Sequence, residues 1–271
     1  MSPSMPLVFS VTSGKGGVGK TNLSVNLAYA LTRLGKRTVL MDADLGLANV
    51  DVLLGMAPEK NLFHLFHENV DMGSILQETE YGFTILPAAS GVSEMLSLST
   101  GQKLDLLEGL DMLEDRTDIL LVDTGAGIND NVIYFNLAVQ HRILILTPEP
   151  TSLTDAYALI KILKNLHDVN SFAVIVNMAR DIKEARQAFT RLHAACDHFL
   201  SGVSLDILGY VPRDTIVRKA VVQQVPFLHL APDNPASRNV MDIARTITQW
   251  SAPDTLDGNI KFFWKKLLFR E

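Results

Sequence analysis

Cysteine is nearly missing from this chain: Cys196 is the one thiol in 271 residues. An internal disulfide is thereby excluded, as is any metal or iron–sulfur site built from the cysteines of a single chain. A reducing cytoplasm is the compartment that fits. There is no excess of positive charge either. A net charge of −6 argues against a protein whose main task is coating nucleic acid, although it leaves room for a local basic patch. No uninterrupted apolar run approaches the roughly eighteen residues of a membrane-spanning helix. Met1–Pro6 has neither the basic nor the apolar region of a secretion signal. Internal repeats and low-complexity stretches are absent. His64 and His67 lie three apart without a carboxylate or cysteine cluster to complete a metal site. No Ser/His/Asp constellation stands out, and Cys196 sits in a helical pattern that reads as core packing.

What is present is globular: 47% of residues are hydrophobic and 20% charged, enough for one large domain with its own core. Short β-branched runs read as strands at Leu7–Thr12, Arg37–Met41, Phe83–Pro87, Asp118–Val122, Arg142–Thr147, Ser171–Asn177 and Leu205–Val211. Between most of them lie stretches of helical period: Thr21–Leu34, Leu104–Leu113, Asp130–Val139, Ser152–Leu166 and Asp181–Leu200. Such alternation predicts an α/β fold, a mostly parallel twisted sheet with helices on both faces. In such a sheet the ligand sits beyond the carboxyl ends of the strands. The expected organisation is a domain over residues 1–250, a Pro/Asp/Gly-containing linker over 251–258 and a distinct tail over 259–271.

The first expected strand runs into Gly14-Lys15-Gly16-Gly17-Val18-Gly19-Lys20-Thr21, and a helix follows at once. Glycines let backbone N–H groups close around phosphate oxygens, and the helix N-terminus adds partial positive charge. Lys20 is placed to reach β- and γ-phosphates, and the Thr21 hydroxyl to ligate Mg²⁺. This is a P-loop for ATP. Asp42 and Asp44 end the second strand, and carboxylates one residue apart point to the same side of an extended segment. The first would lie near Mg²⁺, and the second could face attacking water. Asp51 reads better as a turn cap. A further apolar strand delivers Asp123, which is Walker B logic: one anion positioned beside Mg²⁺.

The spelling Lys-Gly-Gly-Val-Gly-Lys-Thr over residues 15–21 resembles the deviant Walker A motif of the MinD/ParA ATPases. The resemblance implies that Lys15 crosses to the nucleotide of a partner subunit in an ATP-dependent homodimer and neutralises transition-state charge there. It implies that Asp44 orients or activates water, that Asp42 supports the metal shell, and that Gly125–Gly127 is switch II. It also implies that Asn177, with Pro212 and Asp214, flanks the adenine; turn capping is the alternative for Asn177 and Asp214.

Asp44–Asp51, Pro87–Gly91, Glu149–Lys161, Val176–Ala179 and Val217–Ala220 are more similar to flagellar-number regulators of the FlhG/FleN type than to MinD. Within Glu149–Lys161, Ser152 or Thr154 reads as a helix N-cap, with Asp155 near the dipole. This branch of the resemblance implies a regulatory ATPase whose partners are an FlhF-type GTPase or a flagellar transcription regulator. Only Met1–Pro6 precedes the first strand, so a helical segment activating that GTPase is not expected. Division-site positioning of the MinD kind is the runner-up. DNA partitioning of the ParA kind is disfavoured, and no DNA binding is expected.

In the tail, Ile260, Phe263, Trp264, Leu267 and Leu268 form one apolar helical face flanked by Lys261, Lys265, Lys266 and Arg270. That is the pattern of an interfacial helix on anionic lipid, acting through Ile260–Phe269. The expected location is therefore cytoplasmic, peripheral on the inner face of the cell membrane in the ATP state. Two copies in a dimer would bind bivalently. Docking of the same face on the chain's own surface is an alternative compatible with release in the dimer.

Overall fold

The computed structural model describes residues 6–44, 49–61, 64, 70–87, 113, 116–250 and 265. Eight strands form a single sheet: β1 Leu7–Ser13, β2 Thr38–Ala43, β3 Gln77–Glu78, β4 Thr84–Pro87, β5 Ile119–Ala126, β6 His141–Leu146, β7 Ser171–Ala179 and β8 Ser204–Pro212. Their order is β3-β4-β2-β5-β1-β6-β7-β8. Every neighbouring pair is parallel except β3 with β4. The expected parallel sheet is thus present, with one short antiparallel edge.

The chain leaves β1 for β2 on one side of it, and from β5 it later crosses over β1 to β6 on the other side, so the strand order reverses here. A crevice therefore opens beyond the carboxyl end of β1, the usual ligand position in such sheets. Helices α1 (Lys20–Arg33), α2 (Val50–Leu53), α3 (Met72–Ile75), α4 (Asp130–Ala138), α5 (Pro150–His167), α6 (Ile182–Phe199), α7 (Thr215–Gln223), α8 (Phe227–Leu230) and α9 (Pro235–Ile247) complete the described residues.

The two faces follow directly from the period of two along a strand. In β6, Ile143 and Ile145 join the core under α1 and α9, whereas Leu144 and Leu146 join the core under α4, α5 and α6. Leu23, Leu27 and Leu31 of α1 recur every fourth residue and are fully buried against the first face, as are Val240, Ile243, Ala244 and Ile247 of α9. Cys196 lies in the second core, where burial pushes its thiol up to about 11. At the amino end of the sheet, Trp250 stacks on His141 at 4.8 Å between centroids and meets Phe9 edge-on at 6.0 Å. That contact pins the end of α9 at the pole opposite the phosphate loop.

Three differences from expectation have physical causes. Strand β3 is two residues long, too short for any periodic signal. Helices α7, α8 and α9 lie between the last expected strand, which ends at Val211, and the expected linker from residue 251, where no helix was expected; α7 and α8 are short, nine and four residues. Helix α5 does not begin with Ser152 or Thr154 as its cap: Glu149 is the N-cap residue and Pro150 occupies the first helical position. Ser152 instead accepts from the Thr147 N–H, and Thr154 donates to the Pro150 carbonyl. The expected helix Leu104–Leu113, apart from Leu113, lies outside the described residues. So do the linker and, apart from Lys265, the tail.

Candidate nucleotide site

The loop from Gly14 to Gly19 joins β1 directly to α1. Gly19 takes φ +85°, and a Cβ there would stand 2.4 Å from the Asn177 Nδ2. Only glycine meets both demands. A Cβ on Gly14 would fall 2.1 Å from the Asp155 carbonyl oxygen, so the second turn of α5 packs on bare backbone. The loop is thereby held between β7 and α5.

Lys20 Nζ lies 3.1 Å from Asp123 Oδ1, with both side chains buried. Ser24, one turn further along α1, donates to the same oxygen at 2.7 Å. The other oxygen of Asp123, Oδ2, is buried without a partner. A buried carboxylate oxygen left unmatched costs free energy unless something meets it, and a hard divalent cation is the partner such an oxygen suits. Thr21, half-buried in the first turn of α1, adds a hydroxyl. The donor set therefore fits Mg²⁺.

Asp42 is directly beside Asp123 in the β2–β5 register. Its carboxylate accepts from the backbone N–H groups of Asp44, Asn49 and Val50 at 3.2, 3.0 and 3.1 Å. Here it acts chiefly as the organiser of the loop after β2, a role its spacing did not disclose. Burial, and then the charge of Asp123, push its pKa up to about 7 despite those three bonds. A divalent cation at Asp123 favours ionised neighbours. Binding of nucleotide with Mg²⁺ is therefore expected to tighten as pH rises through about 7 and to release part of a proton below it. Calorimetry in two buffers of different ionisation enthalpy reads that release. Asp42→Asn should remove it, and an unchanged release in that variant would assign the proton elsewhere.

Asp44 stands over the last residues of β5, which lead into the turn at Gly127: a Cβ on Gly125 would be 3.5 Å from Asp44 Oδ1. That turn is tied to the phosphate loop through the Gly127 N–H, which donates to the Ser13 carbonyl at 2.9 Å, and through Ser13 Oγ, which donates to the Lys15 carbonyl at 3.0 Å. Lys15 itself runs along its own chain's surface. Its Nζ is 3.0 Å from Glu149 Oε2 and 2.8 Å from Thr151 Oγ1.

Asn177, Pro212 and Asp214 come together with Gly19, Asn22 and Val217 around a mainly apolar cavity of about 310 Å³. Capping is seen at Asp214, whereas Asn177 reaches the phosphate loop. The Asn177 amide donates to the Val18 carbonyl at 2.7 Å and accepts from the Met178 N–H at 2.9 Å. Asp214 caps α7 through the Ile216 N–H and accepts from Asn234 Nδ2 at 3.0 Å. Both residues wall the cavity with side chains already engaged. Asn177 thereby braces the phosphate loop, and Ser24 braces Asp123. Neither function was read from the sequence, although the four-residue step from Lys20 to Ser24 put both on one helical face.

The chain matches the family model described as ParA, NUBPL iron-transfer P-loop NTPase, over residues 5–248. It is 44% identical over 261 residues to the antiactivator FleN of Pseudomonas aeruginosa, covering 96% of this chain and 93% of FleN. It is 32% identical over 262 residues to the flagellum site-determining protein YlxH of Helicobacter pylori, covering 96% of this chain and 88% of YlxH. The fold is similar to that of the cell division ATPase MinD of Pyrococcus furiosus, with a TM-score of 0.71 at 22% identity over 90% of this chain and 99% of the other.

Proposed function

The chain belongs to the ParA/MinD family of P-loop NTPases, and from that premise we propose an ATP-hydrolysing switch that dimerises around nucleotide, associates reversibly with the membrane and regulates flagellar number or placement. One observation carries the hydrolytic core of this reading. Asp123 is fully buried, shares one oxygen between Lys20 and Ser24, and keeps the other without a partner beside the phosphate loop.

The backbone N–H groups of the loop and the first turn of α1 bind phosphate oxygens, and Lys20 adds its charge to the β- and γ-phosphates. Thr21 and Asp123 would hold Mg²⁺, with Asp42 supporting them. Bound there, it would draw charge from the phosphate oxygens. Asp44 orients the attacking water across Gly125. Lys15 acts in trans, which requires it to leave Glu149 and Thr151 for the nucleotide of a second chain. The flagellar output rests on the likeness to FleN and YlxH, and an FlhF-type GTPase or a transcription regulator is the partner class proposed. The iron-transfer description of the family model is not carried over, because Cys196 is buried and has no second thiol in the chain.

No helix among the described residues is long and apolar enough to cross a membrane. The membrane step is assigned to residues 259–271 on their sequence pattern. Co-sedimentation with anionic vesicles tests it. The full chain should pellet with ATP and not with ADP, and deletion of Asn259–Glu271 should abolish pelleting while sparing ATPase activity in solution. Retained binding without those residues would move the membrane contact elsewhere, and no pelleting of the full chain in any state would remove it from the cycle.

A further inference from the structure

Among the described residues, three other than glycine take a positive φ: Asp168 at 55°, Gln224 at 56° and Met178 at 59°. Asp168 and Gln224 cap the C-termini of α5 and α7, where the left-handed conformation is the ordinary way to stop a helix. Met178 has no such task. It stands in β7 as the extra residue of a bulge: Asn177 faces Val211, and Ala179 faces the very next residue of β8, Pro212. Glycine and asparagine take that conformation at lower cost than a methionine does. Met178 is also 41% exposed, so core burial does not offset the strain.

The position of the side chain accounts for both features. A Cβ built on Gly19 would be 3.4 Å from Met178 Cε, so the thioether lies against the last glycine of the phosphate loop. There it lines the cavity of about 310 Å³ that Asn177, Pro212 and Asp214 wall. A second cavity of about 420 Å³, reaching Thr147 and Glu149, lies on its other side. Met178 and Arg213 line both and form the partition. Asn177 fixes the arrangement: its Oδ1 accepts the Met178 N–H at 2.9 Å while its Nδ2 holds the Val18 carbonyl at 2.7 Å. An apolar cavity whose polar walls are already engaged suits a flat ring, and a thioether against an aromatic ring is a favourable contact.

We infer that Met178 is held in its strained conformation to cover the base of a bound purine nucleotide, and that the free protein is less stable for it. The inference rests on the ATP-site reading above. ADP is the probe, because in the proposed cycle it does not bring two chains together, and pyrophosphate is its base-free counterpart. Hydrogen peroxide transfers one oxygen to a thioether, leaving the sulfoxide and water, and peptide mapping reads that reaction at Met178 alone. ADP with Mg²⁺ should slow the oxidation several-fold. Pyrophosphate with Mg²⁺ should not.

Variants supply the second measurement. Met178→Gly should bind ADP about tenfold more weakly and pyrophosphate as the wild type does, while the ligand-free protein melts a few degrees higher. Met178→Leu, which puts back an apolar cover of similar volume, should recover the ADP affinity to within about threefold of wild type, without the gain in melting temperature. Equal protection by ADP and pyrophosphate, a Met178→Gly that binds ADP like the wild type, or one that melts below it would each overturn the inference. Pyrophosphate affinity lost together with ADP affinity in Met178→Gly would also overturn it, by assigning the side chain to the phosphate loop. A wild type that binds neither ligand would remove the ATP-site reading, and this inference with it.

Discussion

Lys20→Ala should bind ATP about a thousandfold more weakly than the wild type, the effect expected when charge-assisted bonds to two phosphates are lost together. Calorimetric titration measures it, and an affinity within a few-fold of wild type would refute the phosphate-loop assignment. The same change should lower stability without any ligand. Lys20 is the cation beside Asp123 inside the fold, with Nζ 3.1 Å from Oδ1. Removing one member of a buried pair costs about 3–5 kcal/mol, because the remaining charge stays desolvated. In a domain of this size that is roughly ten degrees of melting temperature. Adding Asp123→Asn should restore much of the loss by deleting the stranded charge, although ATP binding should not return. A double variant as unstable as Lys20→Ala would mean that packing, rather than charge, accounts for the cost.

Asp44→Ala is the second large effect, of the opposite kind. ATP should still bind, because the proposed role of Asp44 is on water and not on phosphate, and turnover should fall at least about a hundredfold if the carboxylate orients water. A protein that binds and does not hydrolyse should collect in the ATP-bound dimer, visible as a larger species by size-exclusion chromatography with ATP. Normal turnover would transfer the water-orienting role to another group. The neighbouring Asp42→Asn should behave differently. Its carboxylate holds the N–H groups of Asp44, Asn49 and Val50, and an amide keeps only one of the two accepting oxygens, so the loop carrying Asp44 loses part of its anchor.

The parts of the fold that could be read in advance are those written locally. All seven expected strands are present because each is an apolar run bounded by turn residues, and the phosphate loop is a contiguous string. Helix α9 was equally local, with Asn234 as N-cap, Pro235 at the first position and Val240, Ile243, Ala244 and Ile247 on one face. Its polar residues, such as Arg238, Asn239, Asp242 and Arg245, fall outside that face, so the segment carried the full signal of an amphipathic helix although it was not among the expected ones. The bond between Ser10 and Asn136, both buried, was not legible at all. Asn136 on a helix looks like a surface residue, and its partner Ser10 is 126 positions away. Lys15 was legible as a charged residue of the motif, but its present partners, Glu149 and Thr151, meet it only once β6 lies beside β1.

Trp250, stacked on His141 at the amino end of the sheet, determines where the following segment departs. The phosphate loop, Lys15 and the Gly125 turn all stand at the other pole, a whole strand length away. Trp250 therefore holds the end of the described domain on the side facing away from the surface through which two chains would meet in the proposed cycle. In that cycle, ATP acts on the tail by setting how many anchors one particle carries. One anchor lets the protein wander off between encounters. Two give it a residence time, and the clock is reset by hydrolysis.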